Sequence, residues 1–195
     1  NSSLEEVEKS MPDADILFTY GNNAAAPLLN KLSHRKGRRF GLFMHYGAHD
    51  LELDQQNAKL ESFHILTTTS WICDCLGKIG VPATPVGFGV HDNQFYPVDE
   101  VRTFRVGSLY HKDDWKRTID VIRAFKLVQK QIPEATLVFY GQVKDPDIDV
   151  PCEYHFDPNQ DELRRIYSSC SVWVTASIWE GVGMCSVEAM LCGTP

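Results

Sequence analysis

No apolar run in this sequence approaches the ~18 residues that a helical membrane crossing needs, and no signal-peptide pattern is read at its start. A membrane-spanning protein is therefore not expected. Basic residues are the minority, 19 Lys and Arg against 26 Asp and Glu, and a formal net charge of -7 argues against nucleic acid as a partner. Metal-type cysteine spacing is missing too. Cys73, Cys75, Cys152, Cys170, Cys185 and Cys192 are scattered, and the C-x-C of the first pair fits neither a zinc site nor a C-x-x-C redox motif, so no metal is expected. Free, buried thiols in a reducing, cytoplasmic compartment suit this pattern better than a disulfide framework. The dinucleotide fingerprint is also incomplete. G-F-G at 87 to 89 lacks a third glycine and a following helix, which excludes a nicotinamide-binding reading.

What is present is an ordinary globular composition, 43% hydrophobic and 23% charged over 195 residues, enough for one large core or two modest ones. After an acidic, helix-prone start, P-D-A-D-I-L-F-T-Y (12 to 20) reads as a turn and a buried strand, and residues 24 to 33 as a helix begun by Pro27. F-G-L-F-M-H-Y (40 to 46) is a second strand with His45 at its end, F-H-I-L-T-T-T-S (63 to 70) a third, and 71 to 80 a helix closed by Gly80. T-P-V-G-F-G-V is a fourth strand. The basic run His34, Arg35, Lys36, Gly37, Arg38, Arg39 reads either as a helix end whose cations face its dipole or as a peripheral contact with anionic lipid.

From Thr103 a second series begins. T-F-R-V-G-S-L is a strand, and Trp115 to Lys130 an amphipathic helix with Ile119, Ile122, Ala124, Phe125 and Val128 at helical spacing. A-T-L-V-F-Y-G and C-E-Y-H-F are further strands, followed by a helix capped by Asp157 or Asn159 and a buried strand, S-V-W-V-T-A-S, at 171 to 177. Strands alternating with helices predict parallel, doubly wound sheets with ligands at the strands' carboxyl ends.

The chemistry concentrates in W-E-G-V-G-M-C-S-V-E-A-M-L-C-G-T-P, from Trp179 to Pro195. A strand delivers the chain to a glycine loop, and Ser186 to Leu191 read as a short helix. Backbone N–H groups at such a helix start face an anion, and Gly181 and Gly183 let a phosphate come close. Glu180 and Glu188 frame the turn. Carboxylates repel a phosphate but accept hydrogen bonds from sugar hydroxyls, so the inferred ligand is a sugar joined to a phosphate. The same spacing also fits a solvated loop acid and an ordinary first-turn acid.

The segment closely resembles the Glu-x7-Glu signature of the retaining glycosyltransferases of family 4, also called group 1. P-D-A-D-I-L-F-T-Y, L-F-M-H-Y-G, L-T-T-T-S-W and V-G-F-G-V-H-D-N-Q-F-Y-P resemble further motifs of that family. The resemblance implies an α/β chain of GT-B type with two Rossmann-like, parallel-sheet domains. Residues 1–98 would be the C-terminal part of the acceptor-side domain and 99–195 the N-terminal part of the donor domain, each incomplete in this chain. The activity implied is transfer from a nucleotide-diphosphate sugar to a hydroxyl of a saccharide or lipid-linked acceptor, with retention, in polysaccharide or glycoconjugate biosynthesis. Neither metal nor other cofactor is implied, because the helix dipole, a lysine and N–H donors neutralise the leaving diphosphate. The alternative is a non-catalytic nucleotide-sugar-binding module or partner subunit.

By resemblance Glu188 accepts hydrogen bonds from the nucleotide ribose and Glu180 from the transferred sugar, while Val182 and Gly183 offer N–H groups. Lys116 contacts the phosphates. Relatives carry an arginine where Ser108 stands and a Lys-Gly pair where this chain has Lys116-Arg117, so Lys112 and Arg117 are read as substitutes for the missing arginine. His155 and Phe156 fall where relatives hold the base, and Ser177 precedes the loop as the family's serine does. Tyr20 replaces a histidine that faces the transferred sugar in many relatives. His45 matches another family histidine, and either serves the acceptor side or is a satisfied structural residue.

Overall fold

The computed structural model describes residues 15–20, 38–43 and 64–195. Two compact units divide the chain, Asn1–Phe88 with Glu180–Val182, and Gly89–Trp179 with Gly183–Pro195.

In the first unit, β1 (Ile16–Tyr20), β2 (Arg38–Phe43), β3 (His64–Thr67) and β4 (Ala83–Pro85) form a sheet in that order. Every pairing is parallel, with Ile16 opposite Arg38, Phe40 opposite His64 and Ile65 opposite Ala83. Helix α1 (Ser70–Lys78) connects β3 to β4. Thr69 caps it by accepting from the Ile72 N–H, and Ile72, Cys75 and Leu76, spaced three and four apart, are its buried face. Pro85 ends the outermost described strand, where a missing N–H leaves no central ladder bond unmade.

The second unit is built on β5 (Arg105–Leu109), β6 (Thr136–Gly141), β7 (Glu153–Phe156) and β8 (Val172–Trp173), again all parallel, in the order β7-β6-β5-β8. Its helices are α2 (Thr118–Gln131), α3 (Gln160–Ser169) and α4 (Met184–Leu191). Strand β6 shows how they are arranged. Leu137 and Phe139 pack with Val121, Ile122 and Phe125 of α2, whereas Val138 between them packs with Ile166 and Tyr167 of α3 and Ala189 of α4. Alternate side chains of a strand leave opposite faces, so α2 covers one face and α3 with α4 the other. Phe95 joins the second of these cores, and the Val98 N–H donates to Ser168 Oγ at 3.2 Å. Those contacts tie the segment after Phe88 to the second unit, while the sequence reading divides the chain at residue 98.

Two sequence expectations are corrected in this unit, and one left with two alternatives is resolved. The helix expected from Trp115 to Lys130 is broken: a 3-10 turn (Asp114–Lys116) precedes α2, and Arg117 between them is left-handed at φ 55°. The buried residues of α2 are Thr118, Val121, Ile122 and Phe125, and of the expected stripe Ile119, Ala124 and Val128 are exposed. The strand expected over 171 to 177 keeps only Val172–Trp173, because the Val174 carbonyl is bonded by the Ser108 hydroxyl at 2.8 Å. Of the two cap residues read from sequence, Asn159 caps α3 in a reciprocal box with Glu162, and Asp157 is a left-handed turn residue.

Candidate functional site

Gly183, at φ 69° and ψ 52°, turns the glycine loop into α4, a backbone shape that favours glycine. The helix starts at Met184, two residues before the expected Ser186, and has no acidic residue in its first turn. Glu188 is therefore not a first-turn acid. It lies a turn inside the helix, half-buried, and its Oε2 accepts a hydrogen bond from the Tyr167 hydroxyl at 2.7 Å. Burial pushes the Glu188 carboxyl above its ordinary pKa, and the Tyr167 bond opposes that rise. Beyond Tyr167 the polar chain continues: Tyr140 Oη lies 2.8 Å from Tyr167 Oη and 3.0 Å from the sulfur of Cys185 in the first turn of α4. The Thr175 and Ser186 hydroxyls meet at 2.8 Å beside it.

A cation is brought to the same end of the sheet by a separate device. Thr118 Oγ1 donates to the His111 carbonyl and accepts from the His111 N–H, closing the loop between β5 and α2. Trp115, in the 3-10 turn, donates through Nε1 to Asp113, and its carbonyl accepts from the Ile178 N–H at 2.8 Å. Its ring stacks on Trp179 with centroids 6.2 Å apart and planes 5° from parallel. Lys116 Nζ lies over the Trp115 ring, 4.2 Å from its centroid. Lys116 is thereby held to the strand end that opens the glycine loop. Its charge also reaches Cys185, working against the burial that raises that thiol's pKa.

The other predicted residues are placed differently. Ser108 is 3% exposed and its hydroxyl is engaged with Val174, so it stands in the sheet interior. Arg117 Nε contacts Asp120 Oδ2 at 2.6 Å, and that bond holds the Asp120 carboxyl below its ordinary pKa. Lys112 is exposed in the loop after β5. His155 is tied to Glu153 at 2.6 Å, and Glu153 to Arg105 at 2.7 Å; Phe156, at the end of β7, is exposed. His155 pairs in register with Tyr140, which places both at the carboxyl edge of the sheet. Glu180, Gly181 and Val182 lie in the loop and group with the first unit. Ser177 lies in the irregular segment after β8. His45, and His34 to Gly37 of the basic run, lie outside the described residues; Arg38 and Arg39 open β2. Among the described residues no group of three His, Cys, Asp or Glu can hold a metal, and no helix is long and apolar enough to cross a membrane.

Sequence reasoning missed Tyr140, Tyr167 and the Trp115–Trp179 stack. Tyr140 is the last side chain of β6 before its terminal Gly141, at the strand's carboxyl end, where parallel sheets carry ligand contacts. No local signal marks Tyr167, which reads as one more residue on the apolar face of α3.

Two parallel sheets with helices over them define the class: the fold is α/β of the GT-B glycosyltransferase type. Sucrose-phosphate synthase from Thermosynechococcus elongatus matches 98% of this chain with a TM-score of 0.75 at 17% identity, the chain covering 58% of that protein. The S. aureus TarM G117R mutant, solved with fondaparinux, alpha-GlcNAc-glycerol and UDP, matches 98% with a TM-score of 0.76 at 17% identity, and 43% of it is covered. The pneumococcal O-GlcNAc transferase GtfA, solved with UDP and GlcNAc, gives 0.72 at 16% identity over 98% of this chain and 42% of its own. The chain thus spans 42% to 58% of these proteins. More particularly, residues 100–195 match the family model of the glycosyl transferases group 1. No curated protein matches the chain.

Proposed function

We propose that this chain belongs to a retaining glycosyltransferase that moves a sugar from a nucleotide-diphosphate donor to a hydroxyl of a saccharide or lipid-linked acceptor. The observation that carries the reading is the convergence of Lys116, clamped by the tryptophan stack, with the glycine-started helix α4 and its half-buried Glu188. Each part has a physical task. A helix start and a cation held beside an aromatic platform stabilise the charge that develops on a leaving diphosphate. A carboxylate set a turn deeper in the helix suits the neutral end of the ligand, the ribose. Glu180 would accept from the transferred sugar, and Val182 and Gly183 would donate N–H bonds to sugar or phosphate. Because Asp120 already engages Arg117, Lys112 is the better second cation. His155 and Phe156 would meet the base and His45 the acceptor side. Departing diphosphate oxygen would take the acceptor's proton on the same face of the sugar, so the step needs neither a protein base nor a metal.

Thermal-shift screening against UDP-, GDP- and ADP-sugars tests this. At least one stabilises the chain, and Glu188→Ala removes that stabilisation; a flat panel on folded protein refutes the donor site. One observation favours a second reading, a non-catalytic binding module or partner subunit: Ser108, where the group 1 pattern has arginine, is occupied inside the sheet. Nucleotide release from a donor by the full-length protein separates the two, since binding without turnover supports the module.

A further inference from the structure

The three polar contacts that lead from Cys185 to Glu188 hold more information than their distances. Tyr140 donates to Cys185 Sγ and Tyr167 to Glu188 Oε2, which uses both phenolic hydrogens, yet the two hydroxyl oxygens are 2.8 Å apart. Because the Tyr167 hydrogen is directed at Glu188, its oxygen is the acceptor in the contact with Tyr140, whose single hydrogen is shared between Tyr167 Oη and Cys185 Sγ.

Packing leaves Tyr167 no other place. It is fully buried, its ring 4.7 Å from Trp173 and 5.9 Å from both Phe95 and Tyr140, each edge-on. A hydroxyl held so rigidly fixes whatever accepts from it. Glu188 Oε1 carries no hydrogen bond among the described residues, whereas Oε2 is taken.

We propose that Tyr167, backed by Tyr140 and Cys185, is a positioning residue for Glu188: it occupies one carboxylate oxygen and orients the other to accept from the ribose hydroxyls of a nucleotide. This rests on the donor-site reading above. Titratable groups facing Glu188 are Tyr167 from α3, Tyr140 from β6, and Cys185 and Cys192 from α4 and its end, with Lys116 acting on Cys185. Of these, Tyr167 alone holds the carboxylate by a hydrogen bond, and that bond lowers its proton affinity.

Calorimetry of the chain with UDP, GDP and ADP, each also in its 2′,3′-dideoxy form, tests the proposal from acidic to neutral pH. In Tyr167→Phe, which keeps the ring and its packing, affinity for the best ribonucleotide falls about ten- to a hundredfold, the worth of a hydrogen bond to a charged group. Affinity for the dideoxy form is unchanged, and the acid limb of ribonucleotide binding moves to higher pH. Tyr140→Phe shows a smaller change in the same direction, and decides the matter should Tyr167→Phe fail to fold. An unchanged ribo-to-dideoxy ratio and acid limb in a folded variant overturn the positioning role while the donor site stands. A wild-type chain that binds none of the six nucleotides overturns the donor-site reading and this inference with it.

Discussion

Arg117 shows what a single position can hide. In sequence it is a cation two residues from a tryptophan and reads as a phosphate ligand in place of a missing arginine. Its backbone adds what the sequence does not show: φ 55° and ψ 35° put Arg117 in the left-handed region. The group 1 pattern has glycine after its lysine at this point, and the geometry supplies the reason: the chain must turn there between the 3-10 turn and α2, and only glycine makes that turn without strain. Arginine's side chain meanwhile pairs with Asp120 on the surface, an exposed contact that contributes little. Arg117→Gly should therefore raise stability by about 1 kcal/mol, read as a higher urea midpoint at unchanged slope. A lower midpoint would mean that the pair with Asp120 outweighs the strain. Glu188 makes the converse point, since the sequence marks the carboxylate but not the tyrosine that holds it.

Among the elements, strand β5 is the most tightly constrained. It runs between β6 and β8 in the middle of the second sheet, and at Gly107 an added Cβ would lie 2.5 Å from the Trp173 ring and 2.6 Å from Cys170 Sγ. Both neighbours are buried and neither can withdraw. Gly107→Ala should destabilise the chain by about 1 to 3 kcal/mol through overpacking, measured by urea unfolding followed by tryptophan fluorescence. Periodicity made most elements legible: the strands and helices expected between residues 63 and 195 are found with ends displaced by a few residues, except that the strand expected over 84 to 90 is cut back to Ala83–Pro85 and that over 171 to 177 to Val172–Trp173. Ser108 takes the carbonyl that would extend β8, and α2 buries Val121 rather than Ile119 against β6, so neither β8's length nor the buried stripe of α2 follows from local pattern. The glycine-to-helix junction was legible because glycine and a following apolar helix are local signals. The clamp on Lys116 was not, since Trp115 and Trp179 are far apart in sequence and meet only when β5 and β8 pair.

For the molecule as a whole, the six cysteines connect chemistry to compartment. All six are free thiols, with Cys75, Cys170 and Cys192 buried, and burial pushes the Cys170 thiol up to about 11. Thiols held protonated react slowly. With all six thiols free, thermal midpoint and non-reducing electrophoretic mobility should be the same with and without dithiothreitol; a reductant-dependent midpoint would show that a disulfide contributes to the fold. Composition, the alternation of strand and helix, and the glycine turn framed by two acids were determined by the sequence itself, because each depends on residues close together in the chain. Tertiary structure alone decided which oxygen of Glu188 is occupied, that Ser108 is engaged in the interior, and that two distant tryptophans hold Lys116 to the loop's start. Those outcomes depend on which strands lie side by side, and parallel strands become neighbours only through long crossovers that bring together residues no local window contains.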